Sequence, residues 1–264
     1  MKFARYCLAG LLLATASVQA AVQSRVIDYQ VDDETYTGYI AWDDAIEGPR
    51  PGVLVVHEWW GHTDYVRSRA DKLAAEGYTA LALDMYGSGK VAEHPDDALA
   101  FMQAVTENKG VAEKRFRAAW QLLSADQQVD GERIAAIGYC FGGSTVLNMA
   151  RQGSPALKGV VSFHGGLATD TPAQKGNFST PVLVLNGAAD PMVPPEQVQA
   201  FEQEMSNAGA DFRVVNYENA VHGFTNPGAT LLGERFNMPL AYDEVADRDS
   251  WQEMKKFLQR VFSE

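Results

Sequence analysis

The stretch IAAIGYCFGG, from Ile134 to Gly143, constrains the fold more than any other part of the chain. Its four leading apolar residues, followed by Gly138, predict a buried parallel strand. The residues after Gly143 predict a helix, which places Cys140 at the apex of a very tight turn. This Gly-x-Cys-x-Gly pattern is the nucleophile elbow Gly-x-Ser-x-Gly with sulfur in place of oxygen. The glycines are needed because the apex residue has strained backbone angles and bulky neighbours would collide.

Predicted strands alternate with predicted helices along the rest of the chain. Residues 25–31 and 35–42 predict an opening antiparallel hairpin. Further strands are predicted at 53–56, 78–83, 134–137, 159–164, 182–185 and 212–217, and helices at 64–76, 95–107, 111–125, 144–150, 195–208 and 241–262. This alternation predicts an α/β fold, with a mostly parallel, twisted sheet of about eight strands and helices on both faces. The Gly- and Pro-containing tract 225–240 predicts an extended loop over the site.

The N-terminal segment has the pattern of a secretory signal peptide. A basic start and a mostly apolar run to Val18 precede a small-residue cleavage site ending at Ala20. The apolar run is short for a membrane span, and an uncleaved anchor is the alternative. We therefore predict a signal peptide at 1–20 and a single α/β domain at 21–264. The protein is then periplasmic or secreted, without stable membrane association after cleavage.

Composition excludes some partners and narrows the chemistry of Cys140. The formal net charge of −12 disfavours nucleic acid, because phosphate binding requires a basic face. The chain has two cysteines, and Cys7 lies in the predicted signal peptide, so Cys140 has no partner for an intramolecular disulfide. A lone exported thiol is a liability unless it is buried or functional. The segment from His57 to His62 resembles the zinc motif His-Glu-x-x-His, but it has one residue too many between the histidines and lies on a loop. We therefore predict no metal.

Candidate catalytic side chains follow predicted strands, whose carboxyl ends form the ligand site of a parallel sheet. A cysteine nucleophile needs a base, and the base needs an orienting carboxylate. Cys140, Asp190 and His222 occur in the chain order that this fold requires, and no other histidine follows Asp190. The backbone N–H groups of Phe141 and Trp59 are predicted to form the oxyanion hole.

Aromatic residues near the strand ends are candidates for a substrate pocket, namely Trp60, Tyr86 and Phe224. Plain packing is the alternative for all three. Each residue of the triad also has an alternative role. Cys140 could be a structural thiol, Asp190 a turn cap and His222 an ordinary loop residue. His164 is better explained by hydrogen bonding at a strand end than by catalysis.

Five motifs together resemble the dienelactone hydrolase family, in order across roughly residues 25–262: the Gly-Tyr-Cys-Phe-Gly-Gly elbow, His57-Glu58-Trp59, Asp84-Met85-Tyr86, the Asp190 loop and His222-Gly223-Phe224. The resemblance implies an α/β-hydrolase fold, a Cys-Asp-His triad and hydrolysis of a small-molecule ester or lactone without a cofactor. It also assigns a role to Glu58, which holds the resting cysteine as a thiol and takes its proton when substrate binds. The alternative for Glu58 is an ordinary surface residue.

The chain departs from the best-known members of that family at two positions. Ser88 and Asn226 stand where those members carry arginines that grip the carboxylate of the substrate. Lys90 or Arg235 is a candidate replacement. The alternatives are therefore a generalist carboxylesterase without dienelactone activity, or a ligand-binding or thiol-redox protein on the same fold. We expect a monomer or a small homo-oligomer.

Overall fold

The computed structural model describes residues 22–108, 110–153 and 155–263, so the signal peptide predicted at 1–20 lies outside the described residues. The strands are β1 (Val22–Val31), β2 (Glu34–Asp43), β3 (Arg50–Val56), β4 (Thr79–Leu83), β5 (Val129–Tyr139), β6 (Val160–Phe163), β7 (Val182–Gly187) and β8 (Phe212–Tyr217). The helices are α1 (Asp64–Ala75), α2 (Pro95–Thr106), α3 (Val111–Ser124), α4 (Phe141–Gln152), α5 (Pro195–Ala208), α6 (Ala229–Phe236) and α7 (Glu244–Ser263).

One eight-stranded sheet carries the fold, in the order β1-β2-β4-β3-β5-β6-β7-β8. The predicted antiparallel hairpin of β1 and β2 is present, and β2 joins the sheet by pairing antiparallel with β4. All other neighbours pair in parallel. The predicted mostly parallel sheet is therefore confirmed, and its carboxyl edge gathers the loops that follow β3, β5, β7 and β8.

Apolar residues of the central strands face both sides of the sheet in alternation. In β3, Leu54 and Val56 lie in one core layer with Phe116 of α3, while Val53 and Val55 lie in the other with Leu73 of α1. Successive strand residues point to opposite faces, so an unbroken apolar run is what a sheet covered on both faces requires. The core thus consists of two helical layers around one sheet.

Several element boundaries differ from the predicted ones, and two of these differences have identifiable reasons. β5 begins at Val129 rather than near 134, because the chain first pairs Val129 with Arg50 before the register shifts between Pro51 and Gly52. α7 begins at Glu244 rather than at 241, since the Asp243 carboxylate accepts hydrogen bonds from backbone N–H groups of the first turn. In the part of the chain that the structure describes, no helix is both long and apolar enough to cross a membrane.

The tract 225–240 is not the extended loop that its Gly and Pro content predicts. It contains α6, which begins after Gly228 and ends at Asn237 in a left-handed conformation. Gly233 lies inside this helix because a Cβ there would overlap the Leu240 carbonyl, so the helix packs tightly against the segment that follows it. The tract covers the site as a helix-turn unit.

Candidate active site

Cys140 occupies the strained apex between β5 and α4. Its backbone angles are φ 54° and ψ −115°, outside the regions that most residues adopt. A Cβ on Gly138 would overlap the Gly142 carbonyl, and a Cβ on Gly142 would overlap the Val56 carbonyl. Both glycines of the elbow are therefore sterically required, for the reason that their spacing predicts.

The structure brings Asp190 and His222 into direct contact. Asp190 Oδ2 lies 2.7 Å from His222 Nδ1, and both side chains are buried. The other carboxylate oxygen of Asp190 accepts a hydrogen bond of 2.8 Å from the Met192 backbone N–H, which fixes its orientation. The Ala189 N–H donates to the Ala220 carbonyl at 3.1 Å, so the loops after β7 and β8 are joined. The imidazole is thereby held in one tautomer.

The second ring nitrogen of His222 faces the Cys140 side of the site. Burial disfavours the charged imidazole, but the charge of Cys140 and the Asp190 carboxylate raise the pKa of His222 to about 10. The Cys140 sulfur faces Nε2 and contributes to the raised pKa of His222, and Nε2 binds no nitrogen or oxygen of the described residues. An imidazolium at His222 is therefore stabilised whenever Cys140 is negatively charged.

Two backbone N–H groups near Cys140 remain available to a ligand. Phe141 is the first residue of α4, and the N–H groups of a first helical turn have no intrahelical acceptor. The Trp59 N–H also donates to no acceptor among the residues that the structure describes. Trp59, Cys140 and Phe141 line a common pocket. These groups have the character of the donor pair that stabilises an oxyanion.

Glu58 is buried and hydrogen-bonded to Asn226. Its Oε2 atom accepts a hydrogen bond of 2.6 Å from Asn226 Nδ2. Burial raises the pKa of Glu58 to about 7, against the opposing effects of the Asn226 hydrogen bond and of positive charge at His222. Within the described residues Glu58 makes no hydrogen bond to the Cys140 thiol. The Asn226 amide is therefore engaged in a hydrogen bond with Glu58.

The cavity beside Cys140, here called the apolar pocket, has a volume of about 240 Å³ and is lined by Trp59, Met102, Cys140, Phe141, Ser144, Gly166, Met192, His222, Met238 and Leu240. Among the described residues that line it there is no lysine or arginine. The sequence missed most of these residues, since Met102 comes from α2 and Met238 and Leu240 follow α6. The motifs could have indicated two of them, because Ser144 lies four residues after Cys140 and Met192 lies in the Asp190 loop.

None of the three aromatic residues predicted for the pocket is in the lining of the apolar pocket. Phe224 is fully buried and packs against His164 and Tyr217, because its side chain points into the core. Tyr86 lies behind the pocket, where its hydroxyl donates to the Trp59 carbonyl at 3.0 Å. Trp60 lines a separate cleft of about 720 Å³, the outer cleft, which is lined by Glu58, Trp60, Thr63, Asp64, Tyr65, Ala92, Glu93, Asn226, Gly228, Leu231, Leu232 and Arg235.

The histidines of the loop after β3 bind the backbone. His57 Nε2 accepts a hydrogen bond from the Met85 N–H, and its Nδ1 pairs with the Glu58 carbonyl. His62 Nε2 pairs with the Ala82 carbonyl at 2.9 Å. Among the residues that the structure describes, no three His, Cys, Asp or Glu side chains are grouped to hold a metal ion. These histidines order the loop that carries Glu58 and Trp59.

A buried polar network supports the segment after His222. The Thr225 hydroxyl lies 2.8 Å from His164 Nε2 and 2.6 Å from the Tyr65 hydroxyl. The Arg69 guanidinium donates to the Thr225 carbonyl and to Asp247 Oδ1, the latter at 2.7 Å. His164 is therefore hydrogen-bonded, and burial holds its pKa well below the usual value. The network anchors the chain between His222 and Asn226.

Comparison with known proteins assigns the chain to a family. The model of the dienelactone hydrolase family matches residues 36–262. The chain belongs to the dienelactone hydrolase family. The expectation drawn from the elbow and its companion motifs is confirmed, and this dienelactone hydrolase family member is a hydrolase acting on ester or lactone bonds.

Similar proteins cover nearly the whole domain of this family member. A dienelactone hydrolase-like promiscuous phosphotriesterase from metagenomic libraries has a TM-score of 0.85 and 37% identity, over 91% of this chain and 99% of that chain. A Salmonella typhimurium protein provisionally named carboxymethylenebutenolidase is 27% identical, over 89% of this chain and 86% of that protein. Protein usf of Aquifex pyrophilus is 27% identical, over 86% of this chain and 94% of that protein.

Proposed function

We propose that this dienelactone hydrolase family member hydrolyses uncharged esters or lactones through a thioester on Cys140. The observation that carries this proposal is the shared lining of the apolar pocket by Cys140 and His222, with His222 paired to Asp190. A thiolate beside an imidazolium that a carboxylate orients is the arrangement that covalent acyl transfer requires.

The reaction proceeds in two balanced steps. The Cys140 thiolate attacks the carbonyl carbon, and the resulting oxyanion accepts hydrogen bonds from the Phe141 and Trp59 N–H groups. The C–O bond breaks, and the leaving oxygen takes a proton from His222. Water then attacks the thioester while His222 accepts its proton, the C–S bond breaks, and Cys140 leaves as a thiolate. No cofactor takes part in either step.

Glu58 sets the charge state of the resting site in this proposal. Its raised pKa, about 7, makes it an effective proton acceptor near neutral pH. The family resemblance assigns it the proton of the Cys140 thiol. In the described residues the Glu58 carboxylate is hydrogen-bonded to Asn226 and not to the Cys140 thiol.

The substrate is uncharged because no lysine or arginine of the described residues lines the apolar pocket, and His222 is already paired with Asp190. Ser88 is exposed outside the pocket lining, and the Asn226 amide is engaged with Glu58. Arg235 lines the outer cleft, and Lys90 lies over the Phe101 ring. Neither Lys90 nor Arg235 therefore replaces the family arginines beside Cys140. A carboxylate in the apolar pocket would be desolvated without a partner. We expect a generalist ester specificity rather than the carboxylated dienelactone.

Steady-state hydrolysis by residues 21–264 tests this function. We expect turnover of a nitrophenyl ester of an uncharged acid, weak turnover of a dienelactone carboxylate, and loss of both in Cys140→Ala. Activity that survives Cys140→Ala would contradict the mechanism. Efficient turnover of the dienelactone would contradict the uncharged-substrate assignment and leave the mechanism intact. Rapid oxidation of Cys140 without any turnover would favour the thiol-redox alternative.

Neutral phosphotriesters form a second candidate substrate class. The similarity to a promiscuous phosphotriesterase at 37% identity supports this candidate, as does an apolar pocket without charged lining apart from the site itself. The thiolate of Cys140 would then attack phosphorus instead of carbon. We expect slow release of nitrophenol from paraoxon, and its absence would remove this class.

Export is also part of the proposal. The basic, apolar and small-residue segments of 1–20 support a signal peptide and a periplasmic or secreted protein. Cell fractionation with mass determination of the mature N-terminus tests this, and we expect a chain beginning near residue 21. Membrane-bound protein of full length would favour an uncleaved anchor.

A further inference from the structure

Three cavities meet around Glu58 and His222. A small cavity of about 10 Å³, the junction cavity, is lined by Glu58, Trp59, Trp60, Cys140, His222, Gly223, Asn226, Ala229, Leu232 and Leu240. It shares Cys140 and His222 with the apolar pocket. It shares Glu58, Trp60, Asn226 and Leu232 with the outer cleft. The junction cavity therefore lies between the apolar pocket and the outer cleft.

The junction cavity has the size and the polar partners for a single water molecule. Its volume of about 10 Å³ is close to the minimum that a cavity needs to hold one water. A buried water also needs two or more polar partners. His222 Nε2 faces the Cys140 sulfur and binds no nitrogen or oxygen of the described residues, so it is released when the sulfur is acylated, and the Glu58 carboxylate lies in the same lining. The apolar side chains of Ala229, Leu232 and Leu240 close the remaining walls.

The Asn226 amide fixes the orientation of the Glu58 carboxylate. Asn226 Oδ1 accepts a hydrogen bond of 2.8 Å from the Gly228 N–H, so the other end of the amide must be the donor. That donor binds Glu58 Oε2. The other carboxylate oxygen, Glu58 Oε1, lies near Gly223, 4.0 Å from the position that a Cβ of that residue would take. The free oxygen therefore lies beside the residue that follows His222.

The two larger cavities differ in the polarity of the side chains that line them. The apolar pocket is walled mainly by Met, Trp, Phe and Leu side chains, and the acyl group of a thioester on Cys140 would fill it. The outer cleft carries the polar side chains of Glu58, Thr63, Asp64, Tyr65, Glu93, Asn226 and Arg235. Water thus has a hydrated approach to the Cys140–His222 pair that the acyl group does not block.

From this arrangement we infer that the junction cavity holds the hydrolytic water, and that the outer cleft supplies it. Glu58, which lines the outer cleft, first passes the thiol proton to solvent, and its Oε1 then accepts a hydrogen bond from one O–H of the water. His222 Nε2 takes the proton of the other O–H as the water oxygen attacks the thioester carbonyl. The C–S bond breaks, Cys140 leaves as a thiolate, and the acyl group leaves as the carboxylic acid. Glu58 and Asn226 are positioning residues in this step. The inference rests on the thioester mechanism proposed above.

Tryptophan substitutions on α6 test the supply route. Leu232→Trp places a large ring between the outer cleft and the junction cavity. Glu234 lies on the same helix, is exposed and lines none of the three cavities, so Glu234→Trp is the control. The readouts are the pre-steady-state burst of nitrophenol, the steady-state kcat, and the acyl adduct on Cys140 after acid quench.

We expect Leu232→Trp to retain the burst rate while kcat falls roughly tenfold or more, since only the second step loses its water. The acyl adduct should accumulate, and Glu234→Trp should match the wild type. Met238→Trp, which fills the apolar pocket instead, should slow the burst. Leu232→Phe provides a smaller plug should Leu232→Trp fail to fold.

Two outcomes separate the failure of this inference from failure of the thioester mechanism. An unchanged kcat in folded Leu232→Trp and Leu232→Phe, or an equal loss of burst rate and kcat, would overturn the supply route. An acyl adduct missing from every protein, wild type included, while ester is turned over would overturn the covalent mechanism and this inference with it.

Discussion

Asn226 Nδ2 donates a hydrogen bond of 2.6 Å to Glu58 Oε2, at the chain position where the family resemblance predicts an arginine. One substitution therefore has two consequences. It removes a cation that would bind the carboxylate of a substrate, and it supplies a neutral donor that orients the carboxylate of Glu58. The neutral partner leaves burial as the dominant effect on Glu58, whose pKa rises to about 7.

Asn226→Asp should shift the acidic limb of the pH–rate profile to higher pH. A second carboxylate beside Glu58 raises its pKa further, so the ionised base is lost at a higher pH. Asn226→Ala should shift the limb in the same direction, since it removes a hydrogen bond that lowers the pKa. The profile of kcat/KM between about pH 5 and 9 measures this. An unmoved limb in both variants would show that Glu58 is not the group that titrates.

Glu58→Gln should be more stable than the wild type at alkaline pH and equally stable in acid. The pKa of Glu58 is raised from 4.5 to about 7, so folding favours its protonated form. That stabilisation is present below about pH 4.5 and is lost as the pH rises through 7. At pH 8 the difference in unfolding free energy between variant and wild type should be about 3 kcal/mol greater than at pH 4.

Urea unfolding of both proteins at the two pH values measures this difference. All other titrating groups are shared, so the comparison isolates Glu58. A difference that does not grow with pH would mean that Glu58 is not buried in its charged form, and the account of its role as a base would lose its electrostatic support.

Arg69→Met should destabilise the protein by about 3–5 kcal/mol, because it leaves Asp247 buried without its cation. Arg213→Met is the matched control, since Arg213 pairs with Glu253 at the surface, where an ion pair contributes under about 1 kcal/mol. Urea unfolding measures both. Arg69 also binds the Thr225 carbonyl, so kcat should fall in Arg69→Met under conditions where the variant is folded.

Met192→Arg should convert the substrate preference. Met192 lines the apolar pocket and is 40% exposed, so an arginine there keeps its charge near water while reaching the bound acyl group. We expect kcat/KM for a dienelactone carboxylate to rise relative to that for a neutral nitrophenyl ester. Met192→Gln, similar in length but uncharged, controls for the lost thioether. An unchanged ratio in Met192→Arg would argue that charge does not decide specificity.

The sequence predicted those parts of the fold and site that depend on local pattern. The apolar runs of β3 and β5 predicted buried strands, and the elbow glycines predicted the geometry at Cys140. The chain order of Cys140, Asp190 and His222 predicted which side chains meet. Each of these inferences depends on residues close together in the chain or on the edge where parallel strands end.

The parts that the sequence missed are formed by contacts between distant segments. Met102 and Met238 line the apolar pocket from segments far apart in the chain, and neither belongs to a local motif. The α6 helix was hidden by its glycines, one of which is required by packing against Leu240. Phe224 was misplaced because adjacency to His222 does not fix the direction of a side chain. The contact between Glu58 and Asn226 spans 168 positions.

The thioester on Cys140 is the central claim, and acid-quenched mass spectrometry tests it most directly. The mature protein is mixed with a nitrophenyl ester, quenched within the burst phase and digested. We predict an added acyl mass on the peptide that contains Cys140, and none in Cys140→Ala. Full turnover without that adduct at any quench time, or an adduct on another residue that accounts for turnover, would contradict the account.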